Sequence, residues 1–158
     1  MDNLITMAES VREASRKLAL ENSDKKNAAL AAMADALIAR KDYILEANAR
    51  DIERGRSNGM SEALLDRLAL SESRINGMAE GVRQLIALPD PVGEVIESFE
   101  RPNGLVIEKV RVPFGVIGMI YEARPNVTID SASIALKTGN GILLRGSDSA
   151  MESNLALT

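Results

Sequence analysis

Residues 112–150, VPFGVIGMIYEARPNVTIDSASIALKTGNGILLRGSDSA, constrain the fold more than any other stretch of the chain. Residues 116–121 are apolar and rich in β-branched side chains on both faces, the pattern of a strand buried on both sides of a parallel sheet. The run stops abruptly at Glu122, Ala123, Arg124, Pro125 and Asn126. Residues 127–138 then read as a helix, Gly139 supplies the left-handed residue that ends it, and residues 141–144 read as a second strand. A strand, helix and strand in this order make a βαβ unit with a right-handed crossover. Polar residues at the carboxyl end of such a strand are where α/β folds keep their ligands.

The segment before this unit is helical. Leu4, Met7, Val11, Ala14 and Leu18 recur at steps of three and four and place one apolar stripe on a helix. Ser23 or Asp24 suits the cap of a second helix carrying Leu30, Met33, Leu37 and Ile38, and the same period resumes through Ile44, Ala47 and Ile52 to stop near Gly55. After a Ser57, Asn58, Gly59 loop, Ser61 and Ser71 suit the caps of two more helices, with Leu64, Leu65 and Leu68 on one and Ile75, Met78, Val82, Leu85 and Ile86 on the other. Pro89, Asp90 and Pro91 end the helical half. A period of two follows, with Val95 and Ile96 in one strand, residues 105–112 in the next, and Arg101, Pro102, Asn103 and Gly104 as the turn between them. Ser149 opens a last helix. The expected fold class is therefore α/β, with residues 1–88 helical, 94–112 a β-hairpin and 113–158 a βαβ unit. A single βαβ unit leaves strand edges and apolar faces uncovered, so a longer parent protein is expected.

Composition removes several classes of function. With 158 residues, 46% of them hydrophobic, the chain has enough apolar material for one core. Nineteen Lys and Arg against 23 Asp and Glu give a net charge of -4, which offers no basic footprint for nucleic acid and no polybasic membrane patch. Asp2 and Glu9 precede any basic residue, unlike a secretory signal, and the uncharged apolar runs fall short of the roughly 20 residues that span a bilayer. A cytoplasmic location is expected. The chain has no cysteine and no histidine, so it brings no thiol nucleophile, no disulfide and no imidazole base or metal ligand. Glu94, Glu97 and Glu100 lie on or beside the hairpin without the partners of a metal site, and are read as a solvated face. No metal is expected.

Neither common nucleotide fingerprint is present: no Gly-x-Gly-x-x-Gly follows a strand, and no Gly-Lys-Ser or Gly-Lys-Thr loop occurs. Gly115 and Gly118 make only a weak glycine pair, whose bland reading is close packing inside a strand.

Three pieces nonetheless form a specific pattern: residues 112–118, reading VPFGVIG; residues 120–128, reading IYEARPNVT; and KTGN at 137–140 followed by LLRG at 143–146. In them the chain resembles the aldehyde dehydrogenase superfamily and, within it, the γ-glutamyl phosphate reductase family. The middle piece is particular to that family, and the superfamily binds its dinucleotide without the usual glycine fingerprint. The resemblance implies NADPH-dependent reduction of L-glutamyl 5-phosphate to L-glutamate 5-semialdehyde, in proline biosynthesis. In that chemistry a cysteine thiolate displaces phosphate and hydride reduces the thioester, so one hard step becomes two easier ones. The cysteine of the family lies in a domain that this chain lacks, and residues 1–158 correspond to the amino-terminal part of the NADPH-binding domain. The partners implied are the acyl phosphate substrate, other copies in a homo-oligomer of the full-length protein, and glutamate 5-kinase.

Residue by residue, the resemblance makes Asn126 the donor of a side-chain amide to the oxyanion of the tetrahedral intermediate. From the residues alone, Asn126 after Pro125 is equally a helix cap. Tyr121, Glu122, Arg145, Gly146, Ser147 and Asp148 fall where the superfamily holds its cofactor. Arg145 and Ser147 suit a ribose phosphate and favour NADPH over NADH, whereas Asp148 would repel that phosphate unless it turns aside. Without the resemblance this is a solvated loop with an Arg-Asp pair. Arg124 is the candidate for the phosphate or carboxylate of an acidic substrate, with a surface ion pair as its plainer reading. Two rival functions stay open: a non-catalytic α/β module that binds a nucleotide or a subunit through its uncovered apolar surface, and another aldehyde dehydrogenase.

Overall fold

Periodicity becomes five helices in the first half of the computed structural model, which describes residues 2–158. They are α1 (Asp2–Leu18), α2 (Ser23–Ala39), α3 (Lys41–Ser57), α4 (Glu62–Leu68) and α5 (Glu72–Ala87). A hairpin of β1 (Val95–Glu100) and β2 (Val106–Val110) follows, then β3 (Val116–Ile120), α6 (Asn126–Lys137), β4 (Gly141–Arg145), a 3-10 turn (Asp148–Ala150) and α7 (Met151–Leu157). The expected α/β class and the order of helical half, hairpin and βαβ unit are all present. Among the described residues no helix is long and apolar enough to cross a membrane, and no cluster of acidic side chains could hold a metal ion.

The core lies where α2, α5 and α6 meet. Leu30, Ala34 and Leu37 of α2 pack with Ile75, Met78, Ala79 and Val82 of α5 and Ile129 of α6, joined by Ile44 and Ala47 of α3 and Ala156 and Leu157 of α7. Leu30 and Ile75 are fully buried, and each such side chain contributes about 2 kcal/mol of transfer free energy. Leu64, read as part of the same pattern, is 44% exposed, because a two-turn helix buries only one edge, here Leu65 and Leu68.

Several boundaries differ from expectation for local reasons. The cap of α2 is Asn22, whose side chain accepts from the Lys25 N–H at 2.9 Å, so Ser23 and Asp24 are already helical. Helix α3 runs through Gly55 to Ser57, and the left-handed residue after it is Gly59 at φ +73°. Ser61 and Ser71 do stand at caps, but only Ser71 accepts a backbone hydrogen bond, from Arg74. Helix α6 ends as expected at Gly139, φ +71°. The stripe on α1 is mostly uncovered: Leu4 and Met7 are exposed, and the helix meets the sheet where Val11 and Ser15 lie against Gly141. There it crosses so closely that a Cβ on Gly141 would lie 2.7 Å from Val11 Cγ1.

β3 and β4 pair in parallel, Val116 opposite Gly141 through Ile120 opposite Arg145. Asn140 fixes this register: its Oδ1 accepts from the Gly115 N–H at 2.9 Å, and its Nδ2 donates to Thr138 O and Oγ1. The expectation of a strand buried on both faces is corrected here, since Ile120 is 83% exposed. A two-stranded sheet has no neighbouring strand beside β3 and too few helices to cover it. Close packing at the glycine pair is corrected as well: a Cβ at Gly115 or Gly118 would meet nothing, and Gly115 is needed instead for its φ of +107°.

Two buried polar networks hold the periphery. Asp51 accepts from Ser153 N–H at 2.8 Å, Ser153 Oγ at 2.7 Å and Glu152 N–H at 3.3 Å, satisfying the first turn of α7. One turn earlier on α3, Asn48 donates to Leu68 O and Ser153 Oγ and accepts from Leu70 N–H, which fixes the end of α4. Lys26, 2% exposed, pairs with Asp90, which also accepts from Ser23 Oγ and Val92 N–H and so ties the helical half to the root of the hairpin. β1 and β2 pair antiparallel and are exposed along their whole length.

Candidate functional site

The polar residues after β3 and β4 divide between two hollows. After β3 the chain turns through Glu122–Arg124 and enters α6 with Pro125 in helical conformation, so that Asn126 is the first helical residue and not the cap. The cap reading of Asn126 is therefore corrected: proline has already set the helical φ one residue earlier, and no side chain caps α6. Freed from that role, the Asn126 amide donates to Asp130 Oδ2 at 3.0 Å, one turn along the helix. An amide has two N–H groups, so one remains for another acceptor.

Asn126 opens on a cleft of about 440 Å³ between the start of α6 and the α4–α5 corner. Arg124 lines the same cleft, as do Asp66, Arg67, Arg74 and Asp130. Arg74 donates to the carbonyls of Asp66 and Ala69 and to the Asp66 carboxylate, which closes the corner on itself. Among the described residues Arg67 makes a long ion pair with Glu122, Nη1 to Oε2 at 3.9 Å, and no other. The Arg124 guanidinium has no partner among the described residues.

The second hollow, about 280 Å³, lies beyond the carboxyl ends of both strands and is lined by Tyr121, Arg145, Gly146 and Ser147, together with Thr128, Asn154 and Leu155. Tyr121 still pairs through its N–H with Arg145 O at 3.1 Å, extending the ladder by one residue. Its hydroxyl donates to Thr128 Oγ1 at 2.7 Å, and Thr128 donates in turn to Asn154 Oδ1 at 3.1 Å. Gly146 approaches this chain so closely that a Cβ there would lie 2.2 Å from Asn154 Nδ2. Arg145 Nη1 donates to Gly146 O and pairs with Asp148 Oδ1 at 3.0 Å, the exposed Arg-Asp pair anticipated for this loop. Nε and Nη2 of Arg145 have no partner among the described residues.

The structure thus brings Tyr121, Arg145, Gly146 and Ser147 together, and separately Arg124 and Asn126. It does not bring Glu122 or Asp148 into the second hollow: Glu122 turns toward Arg67, and Asp148 sits outside against Arg145. Asp66, Arg67, Arg74, Thr128, Asp130 and Asn154 were not anticipated. Asp130 was within reach of sequence reasoning, lying four residues after Asn126 on one helix. Arg67 of α4 and Arg74 of α5 come from two helices far back in the chain and are placed only by tertiary packing.

The chain is similar over nearly its whole length to known proteins. The γ-glutamyl phosphate reductases of Anoxybacillus flavithermus and Bacillus mycoides are 55% and 56% identical over 157 residues, covering 99% of this chain and 38% of theirs. Among solved structures, the γ-glutamyl phosphate reductase of Thermotoga maritima superposes with a TM-score of 0.96 at 49% identity, over 98% of this chain and 37% of that one. The Saccharomyces cerevisiae γ-glutamyl phosphate reductase gives 0.93 at 29% identity, over 96% and 39%. No sequence-family model matches. The chain spans a little over a third of the length of the curated relatives it matches, and over that span it is similar, by sequence and by fold, to the amino-terminal portion of γ-glutamyl phosphate reductases.

Proposed function

We propose that this chain is the cofactor-binding portion of an NADPH-dependent γ-glutamyl phosphate reductase. The reaction is reduction of L-glutamyl 5-phosphate to L-glutamate 5-semialdehyde with release of phosphate, a cytoplasmic step of proline biosynthesis. The observation that carries this reading is the pairing, beside one short parallel sheet, of a cleft holding Asn126 and Arg124 with a hollow lined by Tyr121, Arg145, Gly146 and Ser147.

The residues around the second hollow fit NADPH. Arg145 offers free guanidinium nitrogens and Ser147 a hydroxyl, donors suited to a ribose phosphate, and the Asp148 carboxylate is already held by Arg145. When bound, NADPH supplies the hydride. The Tyr121, Thr128 and Asn154 chain stiffens the wall of the hollow. Across α6, Asn126 keeps one N–H for an oxygen that gains negative charge, and its bond to Asp130 holds the amide before reaction. A donor fixed in this way is worth about 3 kcal/mol in the transition state. Arg124 attracts the acidic substrate. The thiol that forms the acyl intermediate is not among these 158 residues, which include no cysteine. The exposed hairpin supports a homo-oligomer of the full-length protein.

Joining this chain to the remainder of the Bacillus mycoides reductase tests the reading. The joined protein is expected to oxidise NADPH with γ-glutamyl phosphate, to prefer NADPH to NADH, and to lose that preference with Arg145→Ala. The 158 residues alone are expected to give no turnover. A folded joined protein without activity, or turnover by the chain alone, would contradict it.

A further inference from the structure

We infer that Arg67 of α4 and Arg124 of the β3–α6 loop form a two-guanidinium clamp for the phosphate of an acyl phosphate, latched by Glu122. This rests on the reductase reading and adds to it a residue from an element that no motif connected with the site.

Arg67 and Arg124 line one cleft with Asn126, and neither guanidinium makes a hydrogen bond to a described residue. Arg124 has no partner among the described residues, and the 3.9 Å contact between Arg67 and Glu122 lies beyond hydrogen-bond length. Both members of that pair are at least half exposed, so the contact is weak and yields readily to a dianion. Of the other charges in the cleft, Arg74 closes on Asp66 and the Asp66 and Ala69 carbonyls, which balances the Asp66 carboxylate, and Asp130 turns toward the Asn126 amide, leaving its single negative charge against the two guanidiniums.

Arg67 stands on a rigid base, because the adjacent Leu68 carbonyl accepts from buried Asn48. Two forked guanidiniums from different elements match the three oxygens of a phosphate better than the two of a carboxylate. A cleft of about 440 Å³ admits a small organic phosphate. In an acyl phosphate the carbonyl oxygen lies two bonds from the bridging oxygen, so a phosphate seated here keeps the carbonyl within the cleft that Asn126 faces.

Amide chemical shifts of the full 158-residue chain, titrated with inorganic phosphate and separately with acetate, test the clamp. Phosphate is expected to shift cleft residues saturably at millimolar concentration and acetate to do so more weakly. Arg67→Ala and Arg124→Ala should each weaken phosphate binding about tenfold or more, and Arg67→Lys, which keeps charge but not the fork, by less. Glu122→Gln should tighten it severalfold, while Glu108→Gln on the distant hairpin should not. Absence of saturable shifts in the cleft, or an Arg67→Ala affinity within twofold of the parent, overturns the clamp. If Arg67→Ala loses its folded spectrum, Arg67→Gln replaces it under the same criterion. Shifts of residues 145–147 with NADP+, alongside no response of the cleft to phosphate, would sink the clamp and leave the reductase reading standing. A clamp that binds phosphate in a chain whose joined reductase is inactive would do the reverse.

Discussion

The Asn126 amide and the Asp130 carboxylate are joined at 3.0 Å across one turn of α6, and this bond orients the side chain that faces the cleft. Asp130 is a positioning residue in this arrangement. In the joined reductase Asp130→Ala is expected to lower kcat roughly tenfold and leave the KM for NADPH unchanged, since misplacing a donor costs rate and not cofactor binding. Steady-state kinetics with NADPH as the varied substrate check this, and a rise in that KM with kcat preserved would assign Asp130 to the cofactor instead.

Gly146 leaves room for the Tyr121, Thr128 and Asn154 hydrogen-bond chain. Gly146→Ala would push on Asn154 Nδ2, the end of a flexible side chain, so the strain is relieved by turning Asn154 away and breaking its bond with Thr128. A loss of about 1 kcal/mol is expected in urea unfolding, the usual worth of one hydrogen bond. NADPH binding should weaken with it. Unchanged stability and affinity would mean that Asn154 has no part in the hollow.

Asp51 is fully buried and holds the first turn of α7 through three hydrogen bonds. Asp51→Ala leaves those donors without partners and is expected to cost about 2–4 kcal/mol in urea unfolding, in line with hydrogen bonds to a charged group and unsatisfied buried donors. A cost below about 0.5 kcal/mol, the range of an ordinary surface substitution, would show that α7 contributes little to folding.

Burial alone would push the Asp90 carboxyl up. Hydrogen bonds from Lys26, Val92 and Ser23 and the charge of Lys26 outweigh this and hold it below the ordinary 3.8. The folded carboxyl is thus more acidic than the unfolded one, so its contribution to stability is present above pH 3.8 and is lost as pH falls through the folded value. Asp90→Asn is expected to flatten the acid limb of the stability profile and, by leaving Lys26 buried without its counter-charge, to cost about 3 kcal/mol at neutral pH. Thermal unfolding from pH 7 downward tests both; an acid limb parallel to that of the parent would contradict them.

Local patterns made most of the fold legible. Leu30, Leu37, Ile75 and Val82 recur at helical spacing and are buried, and Gly139 ends α6 by its own backbone chemistry. Burial of β3 was not legible, because Ile120 is apolar whether or not another strand covers it. At the site, Arg124, Asn126, Tyr121 and Arg145 stand beside strand ends and could be read from the sequence. Arg67 could not, since its place in the cleft depends on how α4 is held by Asn48 from a different helix. The cap reading of Asn126 failed because Pro125 had already entered the helix.

The most direct test is Asn126→Ala in the joined reductase, with kcat for γ-glutamyl phosphate and the dissociation constant for NADPH measured on one preparation. Loss of one preorganised oxyanion donor should lower kcat by about 10²–10³ while NADPH binding changes less than twofold. A kcat within twofold of the parent, with NADPH still bound, would show that Asn126 does not carry the developing charge.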